Sequence, residues 1–480
     1  MMGMRLVPSA APQPTDDAAA SLAVVILAAG AGTRMRSSLP KPLHELGGRP
    51  LVGYALRAAA ALHADTTVIV VGHRADDVRA ALGDGHVFAT QEPQQGTAHA
   101  VEVAMPHIPN DAFVVLVLFS DTPLLREATL AALLELHHEE RAKVTLLTAR
   151  VADPAAYGRI IRDSKGRVTA IVEARMATAE QLRVDEVNSG VCCFDAAWLR
   201  AMLPRIEINA SGERYLTDLV AMALREAGSD GGWPVAAIAT DETEAMGIND
   251  RVQLAEAEAA LRQRTLRRLM LDGVTIRDPV TTYIDDTISI GNDTIIEPGC
   301  ILHGTTTIGS DCIIGPYTMV AASTIGDRCR VVASSLEHAV MESDTDCGPY
   351  SHLRPGAVIR EGAHIGNFVE VKQSVIGPHT AVGHFSYLGD ATIGTHVNIA
   401  AGTITANYDG TPVKKQTEIG DGAFIGCDTI LRAPVRVGAG AATGAGAVVT
   451  HDVADGVLVA GVPARPMRAA NNAAALADEE

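Results

Sequence analysis

The C-terminal two-fifths of the chain repeats an aliphatic side chain every six residues. Two runs show this repeat, and the second is out of phase with the first. The first run is Ile290, Ile296, Leu302, Ile308, Ile314 and Val320, and the second is Ile419, Ile425, Leu431, Val437, Thr443 and Val449. A six-residue period is typical of a parallel β-helix, in which each coil covers the apolar edge of its neighbour. Glycines that directly follow these positions predict a tight corner in each unit, at Gly291, Gly309, Gly315, Gly420, Gly426, Gly438 and Gly444.

The repeat changes phase in its middle section. The changes fall at Ile325, Ile359/Ile365, Ile376/Val382/Leu388 and Ile393/Ile399. We expect extra residues to leave the coil as loops at these points. Loops on a rigid scaffold commonly carry function.

The composition excludes several classes of protein. A length of 480 residues allows two or three domains, and a net charge of −18 argues against binding to nucleic acid or to an anionic membrane. Seven cysteines without a CxxC pair indicate reduced thiols in a cytoplasmic protein. No apolar run is long enough to span a bilayer, and residues 1–20 read as an unstructured tail without the apolar core of a signal peptide.

Apolar runs alternate with amphipathic segments in the first half of the chain. We predict buried strands at Leu22–Ala28, Thr67–Val71, Phe113–Phe119 and Val144–Ala149 and helices at Pro50–Leu62, Ala75–Leu82, Thr97–Met105 and Arg126–His138. This alternation predicts a doubly wound, largely parallel α/β sheet with ligands at the carboxyl ends of its strands.

The two halves imply a chain of separate domains. We expect an α/β domain over residues 21–248, a connecting helix over residues 249–271, a β-helix over residues 272–463 and a second unstructured tail over residues 464–480.

A glycine-containing turn follows the first predicted strand. The segment Leu27-Ala28-Ala29-Gly30-Ala31-Gly32-Thr33-Arg34-Met35 continues to Leu39-Pro40-Lys41-Pro42. Backbone N–H groups there can face phosphate, and Arg34 and Lys41 can neutralise it. The turn is neither a dinucleotide-binding motif nor a P-loop, because Met35 takes the place of the third glycine and no Gly-Lys-Ser/Thr follows.

Two further residues invite a functional and a structural interpretation. Asp121 ends the strand Phe113–Phe119, where its carboxylate can hold Mg²⁺ or cap a helix that starts near Thr122-Pro123. His384, in Gly383-His384-Phe385-Ser386-Tyr387-Leu388-Gly389-Asp390, can act as a general base for acyl transfer or lie in a solvated turn. Polar segments around Arg354, Lys372 and Asn407-Tyr408 lie in the same phase-shifted region.

Together these motifs resemble one enzyme family. The opening LAAGAGTRM…LPKPL, GHFSYLGD and the hexapeptide repeat, in this order, are similar to the bacterial bifunctional N-acetylglucosamine-1-phosphate uridylyltransferases and glucosamine-1-phosphate N-acetyltransferases, over roughly residues 21–463. The resemblance implies a Rossmann-like nucleotidyltransferase domain and a left-handed β-helix. It also implies a homotrimer that uses UTP, acetyl-CoA, glucosamine 1-phosphate and Mg²⁺.

The resemblance also implies roles for individual residues. In the first half it assigns nucleotide and sugar contacts to Leu27, Ala28, Ala29, Gly30, Arg34, Lys41, Gln91, Gly96, Thr97, Phe119, Ser120, Asp121, Gly158, Glu173, Asn188 and Asn249, with Asp121 and Asn249 as Mg²⁺ ligands. In the second half His384 would be the general base, and Arg354, Lys372, Tyr387 and Asn398 would bind the sugar phosphate. Acetyl-CoA would contact Ala401, Asn407, Tyr408, Lys414, Cys427 and Ala445, with Lys415 an alternative to Lys414.

Several positions depart from the family pattern. Ser120 replaces Gly, Met176 replaces Asp, Asp250 replaces Asn and adds a carboxylate beside the expected Mg²⁺ ligand, and Cys427 replaces Ser. Two alternatives remain open from the sequence. One is a sugar-1-phosphate nucleotidylyltransferase with a purely structural β-helix, and the other is a non-catalytic scaffold that binds sugar nucleotides.

Overall fold

The computed structural model describes residues 21–154, 157–209, 212–227 and 232–469. The chain forms two compact units, and the division falls between Ala257 and Glu258, inside the helix Arg251–Leu271. The expected tail over residues 1–20 and the end of the expected tail beyond residue 469 lie outside the described residues. Within the described part of the chain, no helix combines the length and the apolar character needed to cross a membrane.

The first unit is built on a mixed, mainly parallel sheet. Its strands follow one another across the sheet in the order Val235–Thr240, Val144–Arg150, Glu186–Asp195, Val114–Phe119, Leu22–Leu27, Thr66–Val71 and Val87–Thr90. The strand Glu186–Asp195 runs antiparallel to both of its neighbours. It also pairs with Arg159–Arg162, which forms an antiparallel ribbon with Val168–Val172.

Helices cover both faces of this sheet. They are Leu51–Ala61, Ala75–Leu82, Thr97–Ala104, Glu127–Glu139, Ala196–Met202 and Asp218–Arg225. In the central strand, Val25 and Leu27 pack in one apolar cluster and Val24 and Ile26 pack in another. This alternation follows from the two-residue period of a strand, and it confirms the doubly wound α/β class. The predicted strands and helices are confirmed, with ends that move by at most one residue.

The second unit is a parallel β-helix with three strands in each coil. The first face contains Thr275–Ile276, Ile295–Ile296, Ile313–Ile314, Arg330–Val331, Asp346–Cys347, Asn398–Ile399, Phe424–Ile425, Ala442–Thr443 and Val457–Ala460. The second face contains Tyr283–Ile284, Ile301–His303, Met319–Ala321, Ser335–Glu337, His352–Leu353, Ile404–Ala406, Ile430–Arg432 and Val448–Val449. The third contains Ser289–Ile290, Thr307–Ile308, Thr324–Ile325, Val340–Met341, Val358–Ile359, Val375–Ile376, Ala391–Ile393, Thr417–Ile419 and Val435–Val437.

Two long strands, His364–Lys372 and Ala381–Gly389, pass through a corner from the first face to the second. The aliphatic residues of the repeat point into one continuous core, with Ile290 half-buried at its edge. Leu266 and Leu269 of the long helix belong to the same core. That helix begins at Arg251, two residues later than the predicted start.

The phase changes of the repeat have a different origin from the one we predicted. Regular coils bring together residues 18 positions apart, such as Thr294 and Cys312. At Ile325, Ile376/Val382/Leu388 and Ile393/Ile399 the coil is one residue shorter, with pairs 17 apart. The prediction of extruded loops is therefore wrong at these points. One coil is enlarged to 26 residues, and its additional residues form the loop 407–416.

The glycines of the repeat also differ from the prediction. Of the seven glycines expected at tight corners, Gly315 has a positive φ, of 108°, and the other six do not. At those six the next coil passes close by, and at five of them the contact is with its backbone. A Cβ at Gly309, for example, would lie 2.7 Å from the backbone nitrogen of Asp327. The corners themselves are formed two residues later, for example by Asp311 with a φ of 59°.

The C-terminal boundary needs a correction. The strand Arg465–Ala469 pairs antiparallel with Val457–Ala460, so the predicted unstructured tail does not begin at residue 464.

Close stacking at Gly309 generates the first prediction. Gly309→Ala should lower the stability of the β-helix by about 1–3 kcal/mol, because the added methyl group meets the backbone of the next coil. Urea unfolding followed by circular dichroism measures the loss. Gly383→Ala is the matched control, since a Cβ there meets nothing within 4 Å. Equal midpoints for the two variants would contradict the stacking argument.

Candidate functional sites

The first unit contains a cavity of about 290 Å³ at the carboxyl ends of its parallel strands. Ser120 N donates to Leu27 O, Ala28 N donates to Val70 O and Gln91 N donates to Val71 O, which brings four strand ends together. Gly96 has a φ of 91°, and a Cβ there would overlap the backbone of Arg214. The predicted residues that line the cavity are Leu27, Ala28, Ala29, Gly30, Lys41, Gln91, Gly96, Thr97, Phe119, Ser120 and Asp121.

Arg34 is the predicted phosphate-binding residue that does not line this cavity. It is exposed in the short helical turn Thr33–Met35. Sequence reasoning also missed residues of the lining, above all Gln94, Glu213 and Tyr215. Gln94 donates a hydrogen bond to the carbonyl of Ala29 and lies within the QEPQQGT segment, so that motif offered a signal for it. For Glu213 and Tyr215 we find no such signal.

A small polar cluster lies at the edge of the cavity. Lys41 Nζ forms an ion pair with Asp121 Oδ2 and donates to Asn249 Oδ1 at 3.1 Å. Ile248 N donates to Asp121 O at 2.8 Å, which holds Asn249 beside the carboxylate. The oxygens of Asp121 and Asn249 therefore converge on one cation, the ammonium group of Lys41. A carboxylate and an amide oxygen suit Mg²⁺ that takes its remaining ligands from phosphate and water.

Two expectations about this cluster change. Asp121 is not a helix N-cap, because the next helix begins at Glu127 and has Arg126 at its N-cap position. The carboxylate of Asp250 does not join the two convergent oxygens. Its Oδ1 accepts hydrogen bonds from Val252 N and Gln253 N, both at 3.0 Å, at the start of the long helix.

A second cavity of about 190 Å³ shares Thr97, Phe119 and Tyr215 with the first. Its lining also includes Glu173 and Asn188, together with an apolar wall of Leu146, Cys192, Phe194 and Val220. Gly158 belongs to the same place, because Asn188 N donates to its carbonyl and a Cβ there would lie 3.6 Å from Glu173 Oε1. Met176 is 76% exposed and does not line the cavity.

A partly buried ion pair holds the ribbon that follows Gly158. Arg162 Nε donates to Glu186 Oε2 at 2.8 Å, and Thr148 Oγ1 donates to Glu186 Oε1 at 2.7 Å. Burial alone would raise the pKa of the Glu186 carboxyl, but these hydrogen bonds and the charge of Arg162 lower it below its ordinary value. The carboxylate therefore stays ionised and fixes the ribbon against the sheet.

In the second unit, one corner of the β-helix brings four predicted residues into a column. His384, Ala401, Cys427 and Ala445 each precede a corner residue with positive φ, and these residues belong to successive coils. Asp428 N donates to Ala401 O at 2.7 Å and Gly446 N donates to Cys427 O at 2.8 Å, which stacks the coils in this order. The proposed general base thus lies above three of the residues assigned to acetyl-CoA.

The two faces that meet at this corner carry the predicted sugar-phosphate residues. On the second face, Arg354 N donates to Val371 O, and Lys372 pairs in register with Gly389. Arg354 Nη1 donates to Glu370 Oε1 at 2.7 Å, and this hydrogen bond raises the pKa of the guanidinium. Tyr387 pairs in register with Glu370. Asn398 lies on the first face, between Ala381 and Phe424 of the neighbouring coils.

The loop 407–416 supplies the remaining predicted residues. Asn407 Nδ2 donates to Asp390 Oδ2 and lies 3.4 Å from the Tyr387 hydroxyl, so it is tied to the second face. Lys414 Nζ lies 3.7 Å from the centre of the Tyr408 ring. Lys415 forms an ion pair with Asp409, whose pKa this contact lowers. Lys414 is therefore the lysine that is not held by a carboxylate in these contacts.

Comparisons with known proteins cover both units. Residues 24–273 match the MobA-like NTP transferase domain, and residues 287–322 and 416–451 match the bacterial transferase hexapeptide repeat. The chain is 49% identical to the Bifunctional protein GlmU of Trichlorobacter lovleyi over 447 residues, which cover 92% of this chain and 96% of that protein. It is 48% identical to the Bifunctional protein GlmU of Heliobacterium modesticaldum, over 90% of this chain and 94% of that protein.

Both identities and both coverages are far above what a shared fold alone produces, and both units of the chain are included. The chain therefore belongs to the family of bifunctional GlmU proteins.

Proposed function

We propose that this protein makes UDP-N-acetylglucosamine in two steps at two separate sites. The second unit transfers the acetyl group of acetyl-CoA to the amine of glucosamine 1-phosphate. The first unit then transfers uridylyl from UTP to N-acetylglucosamine 1-phosphate and releases pyrophosphate. The observation that carries this proposal is the corner column of His384, Ala401, Cys427 and Ala445, because a purely structural solenoid has no use for it.

Acetyl transfer needs a base, because the attacking amine must lose a proton as the new C–N bond forms and the thioester C–S bond breaks. His384 accepts that proton. Arg354 and Lys372, on adjacent coils of the second face, bind the phosphate of the sugar. Tyr387 and Asn398, from the two faces that meet there, contact the sugar ring.

Acetyl-CoA takes the other side of the corner. Ala401, Cys427 and Ala445 offer it a column of small side chains. Asn407, Tyr408 and Lys414, from the loop 407–416 that follows the second face, are its further contacts in this proposal. The cation of Lys414 suits a phosphate group of the coenzyme.

Uridylyl transfer depends mainly on positioning and charge. The sugar phosphate attacks the α-phosphorus of UTP, and pyrophosphate leaves. The backbone from Leu27 to Gly30 and the side chain of Gln91 hold the nucleotide, while Glu173, Asn188 and Gly158 hold the sugar. Asp121 and Asn249 would hold Mg²⁺, which supplies neutralisation of phosphate charge when it is bound. Lys41 adds positive charge at the same edge, and Arg34 adds it from the exposed turn Thr33–Met35.

We further propose, from the family resemblance, that the protein is a homotrimer with acetyl-CoA bound between neighbouring chains. The same corner of the β-helix offers a surface for contact between chains. Tyr317, Tyr350, Phe368 and Phe385 are all more than half exposed at the corner position. Tyr350 and Phe368 stack on each other with ring centres 5.4 Å apart. Exposed aromatic residues in a row are typical of protein–protein contact surfaces.

We also propose that the protein works in the cytoplasm. All seven cysteines, which lie within the described ranges, are free, and six of them are buried. Burial raises the pKa of the Cys347 thiol to about 12, so this buried group stays protonated. Free thiols in this number suit a reducing compartment.

His384→Ala tests the acetyltransferase. The variant should lose acetyl transfer by about 10²- to 10⁴-fold, the contribution of a positioned general base. It should still convert supplied N-acetylglucosamine 1-phosphate and UTP into UDP-N-acetylglucosamine at the parent's rate. Mass spectrometry of the products measures both reactions. A parent that transfers uridylyl but never acetyl would support a nucleotidylyltransferase with a structural β-helix, and a parent inactive in both would support a scaffold.

Asp121→Ala is the reciprocal experiment. Uridylyl transfer should fall at least about 100-fold, because a group that stabilises developing phosphate charge is lost. Acetyl transfer should be unchanged. Chelation of Mg²⁺ in the parent should likewise lower uridylyl transfer and leave acetyl transfer unchanged. Loss of acetyl transfer in this variant would show that the two sites are not independent.

Cys427 generates a prediction for thiol reagents. It is the exposed member of the seven cysteines, so N-ethylmaleimide should modify it and block acetyl transfer while uridylyl transfer continues. Acetyl-CoA should protect, and Cys427→Ser should resist the reagent. Full modification of Cys427 with undiminished acetyl transfer would remove this residue from the coenzyme site.

A further inference from the structure

At the corner that carries His384, the type of residue before the positive-φ position differs from coil to coil. In three of the four preceding coils the residue before the positive-φ corner is proline, at Pro298, Pro316 and Pro349, and in the other it is Val332. In the next two coils the same position holds Asn367 and then His384, before Phe368 and Phe385. Two polar residues, Asn367 and His384, thus occupy this position in two consecutive coils.

The two side chains are in contact. Asn367 and His384 pair in register on the strands His364–Lys372 and Ala381–Gly389. Asn367 Oδ1 lies 3.0 Å from His384 Nδ1. Gly366 and Gly383 directly precede them, and a Cβ at Gly366 would overlap the carbonyl oxygen of Gly383. The glycine at 366 therefore allows the close approach that brings the amide and the imidazole together.

The contact determines which nitrogen of the imidazole can act as the base. A neutral imidazole carries one N–H donor and one acceptor nitrogen. An amide oxygen at Nδ1 favours the tautomer that has its proton on Nδ1, because only that tautomer donates to the oxygen. The lone pair is then left on Nε2 of this exposed side chain.

We infer that Asn367 is a positioning residue for acetyl transfer: its Oδ1 accepts the Nδ1–H of His384 and so leaves Nε2 free to take the proton of the attacking amine. This inference rests on the proposed acetyltransferase activity. Asn367 itself does not touch the reacting atoms. It acts through His384, by selecting the tautomer and the orientation of the ring.

The substitutions described below leave the other charged groups near this corner unchanged. On the first face His364 Nδ1 lies 2.7 Å from Asp346 Oδ2, and on the second face Arg354 pairs with Glu370 beside Lys372. A change in pH dependence that is confined to substitutions of Asn367 can therefore be assigned to the Asn367–His384 contact.

Two variants test the inference in the full-length protein with glucosamine 1-phosphate and acetyl-CoA. Asn367→Ala removes the acceptor, so kcat for acetyl transfer should fall about 10- to 100-fold, part of what a positioned general base contributes. The KM values of both substrates should stay within about threefold, because binding groups are untouched. Uridylyl transfer and the melting temperature should match the parent.

Asn367→Asp tests whether the side chain at position 367 accepts a hydrogen bond from His384 Nδ1 or donates one to it. A carboxylate can only accept, so this variant should keep the tautomer and retain kcat within about tenfold of the parent at high pH. It should also shift the acid limb of the kcat/KM profile upwards by about one pH unit, because the carboxylate stabilises the imidazolium. Asn292→Ala is the control, since this exposed amide lies on another coil and donates to Asp293.

The outcomes separate clearly. Parent-like kcat and pH profile in Asn367→Ala would overturn the inference, and so would an Asn367→Asp variant as impaired as Asn367→Ala. If Asn367→Ala fails to fold, which its circular dichroism and melting temperature would reveal, the pH profile of Asn367→Asp decides alone. A parent without acetyl transfer would overturn the proposed function itself, and the inference with it.

Discussion

Stacking of one coil on the next is the interaction on which the β-helix and its site depend. Each two- or three-residue strand is too short to be stable alone, and it gains its hydrogen bonds and its buried side chain only from the coils above and below. Ile314, for example, pairs with Ile296 on one side and Val331 on the other, and all three are fully buried. Because the backbones of successive coils are in direct contact, residues that are 16 to 26 positions apart in sequence become neighbours at a corner. The column from His384 to Ala445 is a direct result.

The first unit obtains its site from a different constraint. Parallel strands end at one edge of the sheet, and the loops that leave them must surround the same space. This edge collects the backbone of Leu27 to Gly30, the carboxylate of Asp121 and, through the hydrogen bond from Ile248 to Asp121, the amide of Asn249. Lys41 enters the cluster from the loop after the first strand and bonds both oxygens. A cation is thus already part of the arrangement in which we propose that phosphate and Mg²⁺ bind.

Much of this arrangement was predictable from local patterns. The six-residue repeat indicated the β-helix, and the alternation of apolar runs with amphipathic segments indicated the α/β sheet with its elements nearly in place. The errors concern the phase changes of the repeat and the roles of two aspartates. Phase changes of the repeat were interpreted as insertions, but most are shortened corners, because the core requires only that an aliphatic residue reach the interior of each face. For Asp121 the sequence left a metal ligand and a helix cap open, and the structure removes the cap because the next helix begins at Glu127. The carboxylate of Asp250 caps the long helix instead of joining the expected Mg²⁺ ligands.

The sequence by itself determined the fold classes, the order of the two units and the residue types available for chemistry, because periodicity and motif spacing are local properties of the chain. Only the tertiary structure decided which of those residues meet. The approach of Asn367 to His384, the convergence of Lys41, Asp121 and Asn249, and the tie from Asn407 to the face that carries Tyr387 all join residues far apart along the chain. Such contacts depend on strand register and on the close packing of neighbouring backbones, which are set by the folded chain as a whole.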